Sequence, residues 1–136
     1  MFSYIHRYHA GGFADVHKHL VLIALLEALH KKSTPFGVLD THAGEGFYDL
    51  QCEESQKLGE YKQGIAPLQA LTNPPPLVSA LLALVAGSIY PGSPAIIAHY
   101  LREQDNAIAV EGHPHRTSAQ RRPTMTHPVD PEERAA

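Results

Sequence analysis

The stretch Val38-Leu39-Asp40-Thr41-His42-Ala43-Gly44-Glu45-Gly46-Phe47-Tyr48 constrains the fold of this chain more than any other. Phe36 to Leu39 is an apolar run that predicts a short buried strand, and Asp40 closes it. A loop holding two glycines follows at once. In open α/β sheets, ligands sit just past the carboxyl ends of strands, where glycine lets backbone approach them. An Asp at a strand end followed by Gly-x-Gly is one way such sheets hold an adenosine-containing cofactor. The loop lacks the full G-x-G-x-x-G, so taken alone it indicates only an α/β fold with a strand-end ligand site.

The flanking sequence builds the rest of a βαβ pattern. Asp15 to about Lys32 predicts a helix: Leu22, Leu25, Leu26 and Leu29 share one face, and Val16, Leu20 and Ile23 lie on an adjoining one. Asp15 is the expected N-cap, and Lys31 and Lys32 suit the negative end of the helix dipole. So wide an apolar arc predicts a mostly buried helix. His17 and His19, two apart on it, face different sides and do not share a metal.

In a dinucleotide-type unit the acidic residue that binds ribose lies ~20 residues beyond the glycine loop. Here the next strand candidate, Ala107-Ile108-Ala109-Val110, ends at Glu111, far later. Residues from about 51 to 89 fill the gap, and the Ala- and Leu-rich run Leu77 to Val85 reads as helix. A small helical subdomain inserted into the crossover is expected. Pro91-Gly92-Ser93-Pro94 predicts a turn, with Ser93 or Pro94 starting a helix from Ala95 to Arg102. A helix N-terminus facing the strand ends offers N–H groups to a polar ligand. Glu111 is then placed to accept hydrogen bonds from two ribose hydroxyls; its plainer reading is an exposed carboxylate after a strand.

Five ordered blocks carry a more specific resemblance. They are Ser3-Tyr4-x-His6-x-x-His9-Ala10-Gly11 with Ala14-Asp15-Val16-x-Lys18-His19, then the Thr41-His42-Ala43 loop, Gly59-Glu60-Tyr61-x-x-Gly64-Ile65, Tyr90-Pro91-Gly92-Ser93-Pro94, and Leu101-Arg102-Glu103-Gln104-Asp105. Over residues 1–114 the chain resembles the J-type methyltransferases that modify adenine N6 in large-subunit ribosomal RNA. The resemblance implies a Rossmann-like class I methyltransferase fold with the helical insertion, S-adenosylmethionine as cofactor, 23S ribosomal RNA as partner and a cytoplasmic setting. It implies that Lys18, His19, His42, Gly44, Ser93 and Glu111 line the cofactor pocket and that Tyr4 contacts substrate RNA.

The resemblance stops near His115. From there to Ala136 the chain has no Leu, Ile, Phe or Tyr, so residues 115–136 are expected to form a disordered tail unrelated to the family. Adenine-N6 enzymes of this class use Asp or Asn followed by Pro-Pro and an aromatic residue to align the exocyclic amine. Asn73-Pro74-Pro75-Pro76 is the nearest match, but Pro76 replaces the aromatic and no strand leads into it. A proline-rich inter-helix linker is the better reading. The chain is therefore expected to be the first part of the enzyme, with no catalytic residue of its own and inactive alone. The alternative is a non-catalytic remnant that binds an adenosyl ligand or nucleic acid; relatives are also linked to use of external DNA.

Composition sets wider bounds. At 136 residues and 43% apolar, the chain can hold one modest domain. No apolar run approaches the ~20 residues of a membrane helix, and no signal peptide is evident. Single Cys52 excludes an internal disulfide framework. His113-Pro114-His115 lacks the further ligands a metal site needs, so no metal is expected. Net charge is −3, which does not favour RNA binding, but it is uneven: residues 1–32 carry +2, residues 33–111 carry −6 and residues 112–136 carry +1. The basic excess near the N-terminus suits either a solvated helix end or RNA contact. Loss of later strands predicts an exposed sheet face and self-association through it.

Overall fold

The structure, a computed structural model, describes residues 4–112. A 3-10 turn at His6–Tyr8 leads into α1 (Phe13–His30) and then β1 (Gly37–Asp40). After the glycine loop come β2 (Phe47–Asp49), α2 (Glu53–Leu58), a second 3-10 turn at Glu60–Gln63, α3 (Ile65–Gln69) and α4 (Pro76–Leu82). The chain closes with β3 (Ile89–Pro91), α5 (Ser93–Tyr100) and β4 (Asn106–Ala109). Helices and strands mix as an α/β fold. The expected tail at 115–136 and the His113-Pro114-His115 triplet lie outside the described residues.

β1 and β4 pair in parallel, Gly37 opposite Asn106 and Asp40 opposite Ala109, so both strands end at the same edge. Pairing runs on past them: Val110 N–H donates to Asp40 O and Ala43 N–H to Val110 O. The start of the pair is held by the Leu101–Asp105 block. Arg102 grips Asp105 at 2.8 Å, reaches the carbonyls of Lys32 and Thr34, and lies over the Phe36 ring. Asp105 in turn accepts the N–H of Phe36, and the Arg102 hydrogen bond holds its carboxyl well below the usual carboxylate range.

The segment 51–89 holds the expected helices, but a strand pair absent from the sequence reading brackets it. β2 and β3 run antiparallel, with Tyr48 opposite Tyr90. Three-residue strands are too short to show a period, which is why they escaped notice. The segment is locked to the N-terminal block by backbone contact. Ile65 N–H donates to Gly11 O, and a Cβ on Gly64 would fall 2.1 Å from that same oxygen. The core gathers Val16, Ile23, Leu26, Ile65, Leu81, Tyr90 and Ile96.

Several expectations need correction. α1 begins at Phe13 with Gly12 as its N-cap; Asp15 lies inside the first turn, where its carboxylate accepts the Gly11 N–H instead. α1 is not mostly buried: Leu25 is 60% exposed, and Val21 and Leu29 also face solvent. The strand expected to be buried is half exposed, Leu39 at 62%, because one face of the β1–β4 pair is uncovered. α4 stops at Leu82, short of Val85, and α5 is capped by Gly92 and spans Ser93–Tyr100. Asn73–Pro75 do form the connection between α3 and α4, with Pro76 opening the second helix.

Candidate cofactor and substrate site

Two neighbouring arrangements contain the residues of interest. The first lies where β1 and β4 end. Asp40 organises it: Oδ1 accepts the His42 N–H at 3.2 Å and Oδ2 accepts the Ser93 hydroxyl at 2.5 Å. One carboxylate thus fastens the glycine loop to the first residue of α5. Gly44 has φ +65, a conformation that costs other residues free energy. A Cβ there would lie 2.5 Å from the Tyr48 hydroxyl and 3.9 Å from Glu111 Oε2. The missing Cβ at Gly44 thus makes room for the Tyr48 hydroxyl, which takes the Glu45 N–H and packs the loop near the Glu111 carboxylate. Gly92 lets the start of α5 press on the loop, since a Cβ would meet Glu45 O at 2.2 Å. His42 is exposed, its Nδ1 paired with Thr41 Oγ1 at 2.9 Å.

The second arrangement surrounds Asp15, whose side chain is only 2% exposed. Oδ2 meets His6 Nε2 at 3.0 Å and the Gly11 N–H at 3.1 Å; Oδ1 meets Lys18 Nζ at 3.3 Å. Burial pushes this carboxyl up, but the His6 hydrogen bond and the charges of His19, His6 and Lys18 prevail and lower it to about 2. His19, behind it, is buried, and burial pushes its ring down to about 4 against the pull of Asp15. The ring is thus neutral at pH 7, so near neutrality Asp15 relies on His6, Lys18 and the Gly11 N–H. Tyr90 keeps its proton because burial and the Asp15 charge push its hydroxyl well up. Its hydroxyl shares a hydrogen bond with His19 Nδ1 at 2.8 Å, and His19 Nε2 lies 3.7 Å from Asp15 Oδ1.

Above Asp15 lies a cleft of about 210 Å³ lined by Tyr4, His6, His9, Ala14, Lys18 and Glu60. Tyr4 stacks on His9 with ring centroids 5.2 Å apart and planes 4° from parallel. His9 is paired with Glu60 at 2.9 Å, which ties the third sequence block to the first.

The structure thus brings His42, Gly44, Ser93 and Glu111 to one strand-end region, and Lys18 and Tyr4 to the adjoining cleft. His19 connects the two as a buried ring that feels the Asp40 charge. The sequence marks Asp40 as a strand-end Asp before a glycine loop; its hydrogen bond from Ser93 is visible only in the structure. His6 stands in the first family block but is given no role there. For Asp15, the i, i+3 and i+4 spacing to Lys18 and His19 was visible but was assigned to a helix cap.

A family model described as "Ribosomal RNA large subunit methyltransferase D, RlmJ" matches residues 33–127. The chain belongs to this family. It is 43% identical over 122 residues to "Ribosomal RNA large subunit methyltransferase J" of Haemophilus influenzae, and 43% identical over 121 residues to the protein of that name from Escherichia coli. Each match covers 84% of this chain and 43% of the relative, so the chain spans less than half the length of these family members. A crystal structure of a Legionella pneumophila protein is similar at 40% identity, with TM-score 0.67, covering 77% of this chain and 41% of that one. Among the described residues no helix is long and apolar enough to cross a membrane.

Proposed function

We propose that this chain is the cofactor-holding part of an S-adenosylmethionine-dependent methyltransferase acting on adenine N6 of 23S ribosomal RNA, in the cytoplasm. The carrying observation is that the glycine loop, tied by Asp40 to Ser93, and the chain leading into Glu111 meet at the shared end of two parallel strands. A carboxylate just past a strand end and beside a glycine loop suits a ribose, from whose two hydroxyls Glu111 would accept hydrogen bonds. The fold class we assign is Rossmann-like class I, incomplete, with residues 51–89 as an inserted helical subdomain within a unit spanning residues 1–114. Bound here, S-adenosylmethionine would supply an electrophilic methyl group. The chain's own contribution is placement. Asp40 fixes the loop and Ser93, buried His19 sets the floor, and Lys18 and His42 line the wall. Tyr4, stacked on His9, offers a face on which an extruded base can stack.

The 136 residues hold no Asp/Asn-Pro-Pro-aromatic run, the element with which adenine-N6 enzymes of this class align the exocyclic amine. We therefore expect cofactor binding without transfer. Titration calorimetry with S-adenosylhomocysteine should show binding that Glu111→Gln weakens at least ~10-fold, about 1.4 kcal/mol. Absence of binding, or an unchanged affinity in Glu111→Gln, overturns the assignment. With labelled cofactor and unmodified large-subunit RNA, no N6-methyladenine should form; label in that product overturns the expectation of inactivity.

A further inference from the structure

The glycine loop is gripped from one more side. Arg7, in the turn that carries His6, reaches Glu45 with Nη2 at 2.7 Å and Nε at 2.9 Å, both on Oε1. Its Nη1 lies 3.5 Å from Glu54 in the first turn of α2. The Glu45 side chain is only 11% exposed, and its pairing with Arg7 raises the guanidinium's pKa. Glu45 sits directly after Gly44, its N–H donates to the Tyr48 hydroxyl, and its carbonyl rests against Gly92. The loop is therefore wedged between Arg7 on one side and the start of α5 on the other. Next to Arg7, the His6 ring packs on Tyr48 at 5.1 Å while its Nε2 binds Asp15.

We infer that Arg7 is a positioning residue: through Glu45 it holds the glycine loop in place near Glu111, and it joins that loop to the turn that bears His6 and follows Tyr4. The inference rests on the cofactor reading above. Without Arg7 the largely buried Glu45 carboxylate loses two close contacts with a guanidinium, in a loop that already carries Asp40 and lies near Glu111. Neutralising Glu45 should then make Arg7 dispensable, which a merely structural side chain would not show.

The test uses the 136-residue chain as Arg7→Met, Arg7→Lys, Glu45→Gln and the Arg7→Met/Glu45→Gln double variant. Amide resonances are recorded without ligand, and S-adenosylhomocysteine affinity is measured by calorimetry. Arg7→Met should move the Gly44 and Gly46 amides, leave those of α4 in place, and weaken binding at least ~5-fold. Arg7→Lys should fall between it and the parent, and the double variant should recover much of the loss. Unmoved Gly44 and Gly46 amides, or an equal loss in the Glu45→Gln background, overturns the inference. If the parent does not bind the ligand, the cofactor reading fails, and the amide shifts alone decide whether Arg7 positions the loop. Should Arg7→Met not fold, Arg7→Lys and Glu45→Gln give the same two readouts.

Discussion

Along α1, the early turns bury polar side chains while the later turns expose apolar ones. Asp15 and His19 are sealed in; Val21, Leu25 and Leu29 stand in solvent. The difference lies in what faces each stretch. The early turns meet the His6 turn, the Gly11 backbone and Tyr90, which pair one carboxylate oxygen of Asp15 and the His19 imidazole. Among the described residues, Asp15 Oδ1 has only the Lys18 charge and the His19 ring nearby. Only the Ile23 and Leu26 side of the later turns meets the core. Burial here follows the available partners more closely than it follows hydropathy.

The largest test of this contrast is Asp15→Ala. It removes the buried acceptor of His6 and the Gly11 N–H and the ion partner of Lys18, and should cost about 3–5 kcal/mol in urea denaturation at neutral pH. A loss under ~1 kcal/mol would show that the network contributes little to stability.

Acid titration comes next in size. The His19 value in the folded chain, about 4, lies below its ordinary 6.5, so the unfolded chain takes up that proton first. Stability should fall as pH drops from 6.5 towards 4, by at most about 3 kcal/mol, and His19→Gln should flatten that interval. Asp15, lowered from 3.8 to about 2, adds a further loss as pH falls through that lower range. Stability curves at stepped pH would check both; a flat parent curve between 6.5 and 4 would contradict the buried neutral ring.

At the small end, Leu25→Ser should change stability by no more than ~0.5 kcal/mol, since the side chain leaves little water-free contact behind. A loss above ~1.5 kcal/mol would mean that Leu25 is covered in solution, and concentration-dependent sedimentation would show whether a second copy covers it.

Much of the site was legible in sequence because it depends on local chemistry. A strand ending in Asp, a glycine at positive φ and an acid at the next parallel strand's end are each written in a few consecutive residues: Asp40, Gly44, Glu111. The Arg102–Asp105 clamp and the proline-rich link at Asn73–Pro75 are local too. The tertiary structure alone decided the pairs between distant residues: Asp40 with Ser93, His19 with Tyr90, Arg7 with Glu45, Gly64 against Gly11. It also decided that Asp15 is a buried anion within the first helical turn, and that Leu25 and Leu39 face water. The physical reason is that periodicity tells which residues share a face, whereas burial and ionisation depend on what other part of the chain arrives at that face.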